Sequence, residues 1–252
     1  MTTFGVLNLS TELQSPLLVD PPSRIIVHVV NEVDLDEGPV EILATEDALN
    51  TAFEDFAVAS RAGDLVDDEA LTIHLLESPT ENTLLVSEEA VSSLLDIDGE
   101  VRGITTREND LVEHVNTQYR HRFESAESYR FETPSRRTVQ RTLQENLGRD
   151  LMEDFITTIE NLEEVRDDVD VVTVALLIAA KHDKQFYQIS KWGEQVGVGS
   201  KSTFSRRKMA LEEEGALSTE KVKINTGRPR LRLKIADENA VKSILKNSGS
   251  RT

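Results

Sequence analysis

The sequence predicts an α/β domain followed by a helical domain that ends in a two-stranded ribbon, the two joined by helices. Three observations predict it. Strand-like and helix-like apolar patterns alternate over the first half of the chain. The charge reverses sign late in the sequence. The segment after the reversal orders short helices, a glycine turn and two alternating strands around a Gly-Arg-Pro-Arg tip, residues 227–230.

The chain has 252 residues, 38% hydrophobic and 29% charged, which suits one large or two smaller globular domains. No apolar run approaches the ~20 residues that span a bilayer. The first residues, MTTFGVLNLSTELQ, lack a basic stretch followed by an apolar core, so no signal peptide and no membrane partner are expected. The absence of cysteine excludes disulfides, thiolate chemistry and cysteine metal sites. A cytoplasmic location is expected.

The net charge of −18 is unevenly placed. Residues 1–180 hold 12 Lys and Arg against 38 Asp and Glu; residues 181–252 hold 16 against 8. Every lysine lies at or after Lys181. Acids spread evenly without lysine suit a surface that holds water and counter-ions at high salt. Positive charge concentrated against that background suits a phosphate partner.

In chain order, residues 1–23 show no strong period and end in the turn-forming DPPS. RIIVHVV (24–30) and VEILAT (40–45) read as strands, and 46–61 as a helix through Leu49, Phe53, Phe56 and Val58. LTIHLLE (71–77) and TLLVS (83–87) read as strands around a turn at Ser78-Pro79. SEEAVSSLLD (87–96) reads as a helix capped by Ser87, EVRGITT (100–106) as a strand, and 108–126 as an amphipathic helix through Leu111, Val115, Tyr119 and Phe123. This is an α/β domain over 1–132.

Two connecting helices are expected over 133–166. The first opens at Thr133-Pro134-Ser135 and closes at Gly148; the second carries an apolar stripe through Leu151, Met152, Phe155, Ile156, Ile159 and Leu162. That stripe packs either on its own chain or on a second copy. Leu151, Met152, Phe155, Ile159 and Leu162 are the candidate homodimer contacts.

Residues 167–236 form the third part. VVTVALLIAAKHD (171–183) is apolar nearly all round and reads as a buried helix. A short helix within 186–200, a turn at Gly197 and Gly199, a helix capped by Ser200 or Ser202, and the strands LSTEKVKI and RLRLKIAD follow. That order is a winged helix–turn–helix. Residues 237–252 read as a fraying tail.

On a helical wheel Phe204 and Leu211 share the inner side, while Ser202, Ser205, Arg206 and Met209 lie opposite. Such a face suits the major groove: arginine pairs with guanine, hydroxyls bond bases or phosphates, and methionine meets a thymine methyl. Lys208 is a misfit near the inner side; either its stem packs and its ammonium snorkels, or the helix turns and Met209 is buried. In the ribbon, Leu231, Leu233 and Ile235 alternate with Arg230, Arg232 and Lys234, the basic face being available to phosphate. The candidate contacts to double-stranded promoter DNA are Lys191, Lys201, Ser202, Thr203, Ser205, Arg206, Arg207, Met209, Lys223, Arg228 and Arg230. The segment 134–148, with Arg136, Arg137 and Arg141, looks like a second recognition helix but lacks a turn before it and a wing after it.

No active site is expected. His28, His74, His114, His121 and His182 are scattered, and His114 and His121 are spaced too widely for an i, i+4 metal pair. Phosphate-loop and dinucleotide-binding glycine motifs are absent from the sequence. No metal or cofactor is expected. A chain that docks protein or RNA through its winged helix is the other class considered.

The segments ISKWGEQVG, SKSTFSR, LEEEGAL, STEKV and GRPRLRLKI resemble haloarchaeal transcriptional regulators of the TbsP type, closely over 186–236 and more loosely over the whole chain. The resemblance implies a C-terminal winged helix on promoter DNA, a salt-rich cytoplasm and control of central carbon metabolism. LLVSEEAVSSLL and NDLVEHVNTQYRHRFESAE are more faintly similar to sensor domains of TrmB-like regulators, with the order of domains reversed. As a sensor the α/β domain is expected to respond to a small-metabolite effector or to a partner.

Overall fold

The computed structural model describes residues 16–33, 39–97, 100–163, 170–222 and 230–247. The chain divides into two compact units, one of residues 1–54 and 61–131, the other of residues 55–60 and 132–252.

The first unit is built on a six-stranded mixed sheet. Its strands are β1 (Leu17–Val19), β2 (Val40–Ala44), β3 (Leu71–Leu75), β4 (Thr83–Val86), β5 (Val91–Ile97) and β6 (Glu100–Thr106), in the order β3-β2-β1-β4-β5-β6. β1, β2 and β3 run parallel; β4, β5 and β6 form an antiparallel meander that joins β1 through β4. The expected strands at 40–45, 71–77, 83–87 and 100–106 are present. The central strand β1 was not expected, because three residues leave too short a pattern to read.

Two segments depart from expectation. RIIVHVV is helical, within α1 (Ser23–Glu32), entered from Pro22 at φ −65° and ψ 154°. Ile25, Ile26, Val29 and Val30 are its buried residues. They repeat at i, i+1, i+4 and i+5, one helix face, whereas a strand would split them between two faces. The second is SEEAVSSLLD. Ser87 does make cap-like bonds, its Oγ accepting from the N–H groups of Glu89 (3.2 Å) and Ala90 (3.1 Å). These close a tight turn, and the chain returns as β5 with Val91 opposite Val86. Ser92 and Leu94 are buried on one face of β5, a period of two that outweighs the helical reading.

The expected helix at 46–61 is two, α2 (Glu46–Ala52) and α3 (Phe56–Asp67). α4 (Asn109–Ser125) covers the sheet with Val112 and Phe123, packed on Leu17, Val19, Leu43, Val86 and Val91. Leu111, expected on the inner stripe, is 44% exposed and Val112 takes its place, while Val115, Tyr119 and Phe123 pack on this core as expected. His74 holds the end of α4: its ring stacks on Phe123 at 4.2 Å, Nδ1 donates to the Phe123 carbonyl (2.6 Å), and Nε2 accepts from Ser128 Oγ (3.2 Å).

The second unit has one core shared by α5 (Arg136–Leu147), α6 (Arg149–Glu163), α7 (Val171–Lys181), α8 (Phe186–Val196), α9 (Lys201–Glu213), the ribbon β7 (Leu217–Val222) and β8 (Arg230–Ile235), and α10 (Glu238–Asn247). α7 is its axis, with every residue from Val171 to Ala180 buried. α5 and α6 are therefore built into this unit rather than strung as a connection: Val139, Leu143, Leu147, Leu151, Phe155 and Ile159 sit in the same core as Trp192 and Phe204. Leu151, Phe155 and Ile159 are 1%, 1% and 4% exposed, so the stripe packs on its own chain at these positions and leaves no side-chain area for a second copy; Met152 and Leu162 are partly buried against the core. The tail reading of 237–252 is corrected as well. Ala240, Val241, Ile244 and Leu245 repeat along one face of α10 and pack on the core.

Candidate nucleic-acid interface

The recognition element is assembled from short-range chemistry. Gln185 and Gln188 form a reciprocal capping box at the start of α8. Gly197 ends α8 at φ 88°, a left-handed conformation that glycine adopts without a steric cost, and its N–H bonds the Gly193 carbonyl. Ser200 then caps α9, its Oγ accepting from Thr203 N–H at 3.1 Å. The β7–β8 ribbon returns antiparallel with Leu217 opposite Ile235 and Val222 opposite Arg230.

α9 lies with Phe204 and Leu211 fully buried and Ser202, Ser205, Arg206 and Met209 exposed. Lys208 answers the misfit by snorkelling: its stem is buried, Nζ bonds Glu212 Oε2 at 2.6 Å, and the ammonium lies 5.8 Å from the Phe186 ring centre. Met209 stays outside at 56% exposure.

Other candidates are placed differently. Arg207 turns inward with its side chain 19% exposed. Nε donates to Thr173 Oγ1 and lies 3.1 Å from Asp170 Oδ2, and Nη1 reaches Glu214 Oε1 at 3.4 Å. Asp170 also caps α7, its Oδ1 accepting from Thr173 N–H at 3.0 Å. Arg207 therefore ties the recognition helix to the start of α7, and its assignment to DNA is corrected. Lys201 is exposed but ion-paired with Glu194 of α8. Thr203 is half-buried, with Oγ1 2.9 Å from Ser200 Oγ. Lys191 is exposed on α8. Lys223 and Arg228 lie outside the described residues.

The ribbon's basic face is not free as expected. Arg232 faces Glu220 at 3.9 Å and Lys234 holds Asp183 at 2.6 Å, while Arg230 lies over the ring of Tyr187. The hydrogen bond from Lys234 holds the Asp183 carboxyl below its ordinary range, and that from Lys201 does the same to Glu194. These pairs neutralise part of the basic surface. Arg206 and Lys191 are exposed and have no ion-pair partner among the described residues. Tyr187 and Gln185, which the sequence reading passed over, flank Arg230.

In the first unit, a cavity of about 650 Å³ opens at the carboxyl ends of β2 and β3. Thr45, Glu46 and Asp47 line one side, Leu75, Leu76 and Glu77 another, and Ser125 to Glu127 a third. Ligands of open α/β sheets gather in such crevices. Among the described residues no group of His, Asp or Glu is arranged to hold a metal ion, and no helix is long and apolar enough to cross a membrane.

A capped helix pair with a tight glycine turn, a buried third helix and an antiparallel ribbon define a helix–turn–helix domain, the DNA-binding class. The family model for the TbsP-like transcriptional regulator C-terminal HTH domain matches residues 135–247, which run from α5 through α10. The model for the TbsP-like N-terminal domain matches residues 7–134. The chain belongs to the TbsP-like transcriptional regulators. No curated protein and no solved structure matches it.

Proposed function

We propose that the chain binds promoter DNA sequence-specifically, with α9 in the major groove. Ser202, Ser205, Arg206 and Met209 would read base edges, and Lys191, Lys201, Thr203, Lys223, Arg228 and Arg230 would meet backbone phosphates. The observation that carries this reading is the outward face of α9, where those four side chains stand opposite Phe204 and Leu211. The protein acts as a homodimer, with Met152, Ile156 and Leu162 as the partly buried apolar residues of α6 that remain for a second copy. The N-terminal unit takes a small-metabolite effector, a reading supported by the cavity at the ends of β2 and β3. The location in a salt-rich cytoplasm and the control of central carbon metabolism rest on the family resemblance and on the acidic, lysine-free first 180 residues.

The test is selection from a random duplex pool by the purified protein at molar potassium chloride. Recovery of one motif supports the reading, and a palindrome supports the dimer. Recovery of no motif by folded protein sinks it and moves the function to a protein or RNA partner.

A further inference from the structure

The end of the ribbon at the Val222–Arg230 pair holds an arrangement that neither the sequence motifs nor the family description assigns. Arg230 opens β8, and its guanidinium carbon lies 4.5 Å from the centre of the Tyr187 ring. Its Nη1 donates to Gln185 Oε1 at 3.3 Å. Tyr187 sits in the first turn of α8 and is 45% exposed. The backbone fixes the two elements together: Leu233 N–H donates to the Lys184 carbonyl at 2.9 Å, and Gln185 and Arg232 form a β-bridge.

The cations that follow on β8 are used differently. Arg232 and Lys234 face carboxylates, those of Glu220 and Asp183. Arg230 is held by a ring and an amide, and among the described residues no carboxylate pairs with it. A ring face orients a guanidinium without cancelling its charge, and it leaves the edge N–H donors available. A side chain ordered in this way loses less freedom when it meets an anion.

We propose that Tyr187 is a positioning residue that presents Arg230 to a backbone phosphate beside the groove occupied by α9. This rests on the DNA-binding reading above. Tyr187 acts through its ring face, so the phenol oxygen is dispensable. A purely structural clasp would stabilise the ribbon without changing the ionic-strength dependence of binding.

The experiment titrates the full chain with its selected duplex over a potassium chloride series, with a melting curve for each protein. The variants are Tyr187→Phe, Tyr187→Ala, Arg230→Ala, Arg230→Lys and the Tyr187→Ala/Arg230→Ala pair. Tyr187→Phe should stay close to wild type. Tyr187→Ala should weaken binding roughly two- to fivefold. Arg230→Ala should weaken it at least as much and reduce the salt slope by about 0.9. The double variant should bind no more weakly than Arg230→Ala. Arg230→Lys keeps the charge and loses the planar stack, so it should lose affinity as Tyr187→Ala does, which covers the case of a Tyr187→Ala protein that folds poorly. Wild-type affinity and slope in Tyr187→Ala or Arg230→Lys would overturn the proposal, as would full additivity in the double variant. If the wild-type chain binds no duplex, the DNA reading falls and takes this proposal with it. If the wild type binds and the Tyr187 and Arg230 variants match it, this proposal falls alone.

Discussion

Gly193 of α8 lies directly against the ring of Phe204 of α9, so close that a Cβ at position 193 would fall inside van der Waals contact of the ring. Phe204 is fully buried. The missing side chain lets the two helices of the motif cross at short range. Gly193→Ala should destabilise the second unit by about 1–3 kcal/mol through overpacking. Denaturant unfolding checks it, and wild-type stability together with wild-type DNA binding would show that Phe204 yields more easily than its burial implies.

Neighbouring arginines should behave as opposites. Arg207→Ala removes the charge-assisted tie from α9 to Asp170 and Thr173 at the start of α7. It should lower stability by about 1–3 kcal/mol. Arg206 is exposed, and Arg206→Ala should leave the unfolding midpoint within about 0.5 kcal/mol of wild type. Unfolding curves of the two variants, measured side by side, separate the roles; equal midpoints would remove the structural role given to Arg207.

The cap of the recognition helix is a smaller test. Ser200→Ala should cost about 0.5–2 kcal/mol, because Thr203 N–H loses its acceptor. Ser200→Gly should cost only a few tenths of a kcal/mol. Thermal melts of the two variants check the order.

Asp154 of α6 accepts from Lys181 Nζ and His182 Nε2, each at 2.7 Å, and so fastens α6 to the end of α7. The bond from Lys181, then that from His182, holds its carboxyl below the ordinary range against the opposing effect of burial. A depressed folded-state pKa means that the charged form stabilises. The contribution is full above the unfolded carboxyl pKa and is lost as pH falls through the folded value. Asp154→Asn should therefore melt below wild type at neutral pH, with the gap closing as pH drops below about 4. A gap that persists unchanged in acid would mean the ion pair is not its source.

The alternation of strands and helices, the buried α7 and the outward face of α9 were legible because each depends on a local period. The errors came where a local pattern fits two structures. RIIVHVV contains both a run of β-branched residues and an i, i+4 repeat, and burial on one face only decides for helix. Ser87 makes the same bonds in a turn as at a helix cap, and pairing with β4 decides for the hairpin. α10 was missed because its apolar face is thin and its lysines resemble a tail. Arg207 borders the inner face on the wheel, and Asp170 and Thr173, far back in the chain, together with Glu214 turn it inward. The stack of Arg230 on Tyr187 joins residues distant in sequence, and no spacing announces it.

The most direct measurement is the affinity of wild type and Arg206→Ala for the selected duplex and for a random duplex in the same potassium chloride buffer. If α9 reads bases, the variant loses about 1–3 kcal/mol of discrimination while its affinity for random DNA stays close to wild type. Equal losses on both duplexes would make Arg206 a phosphate contact and contradict the placement of this face in the groove.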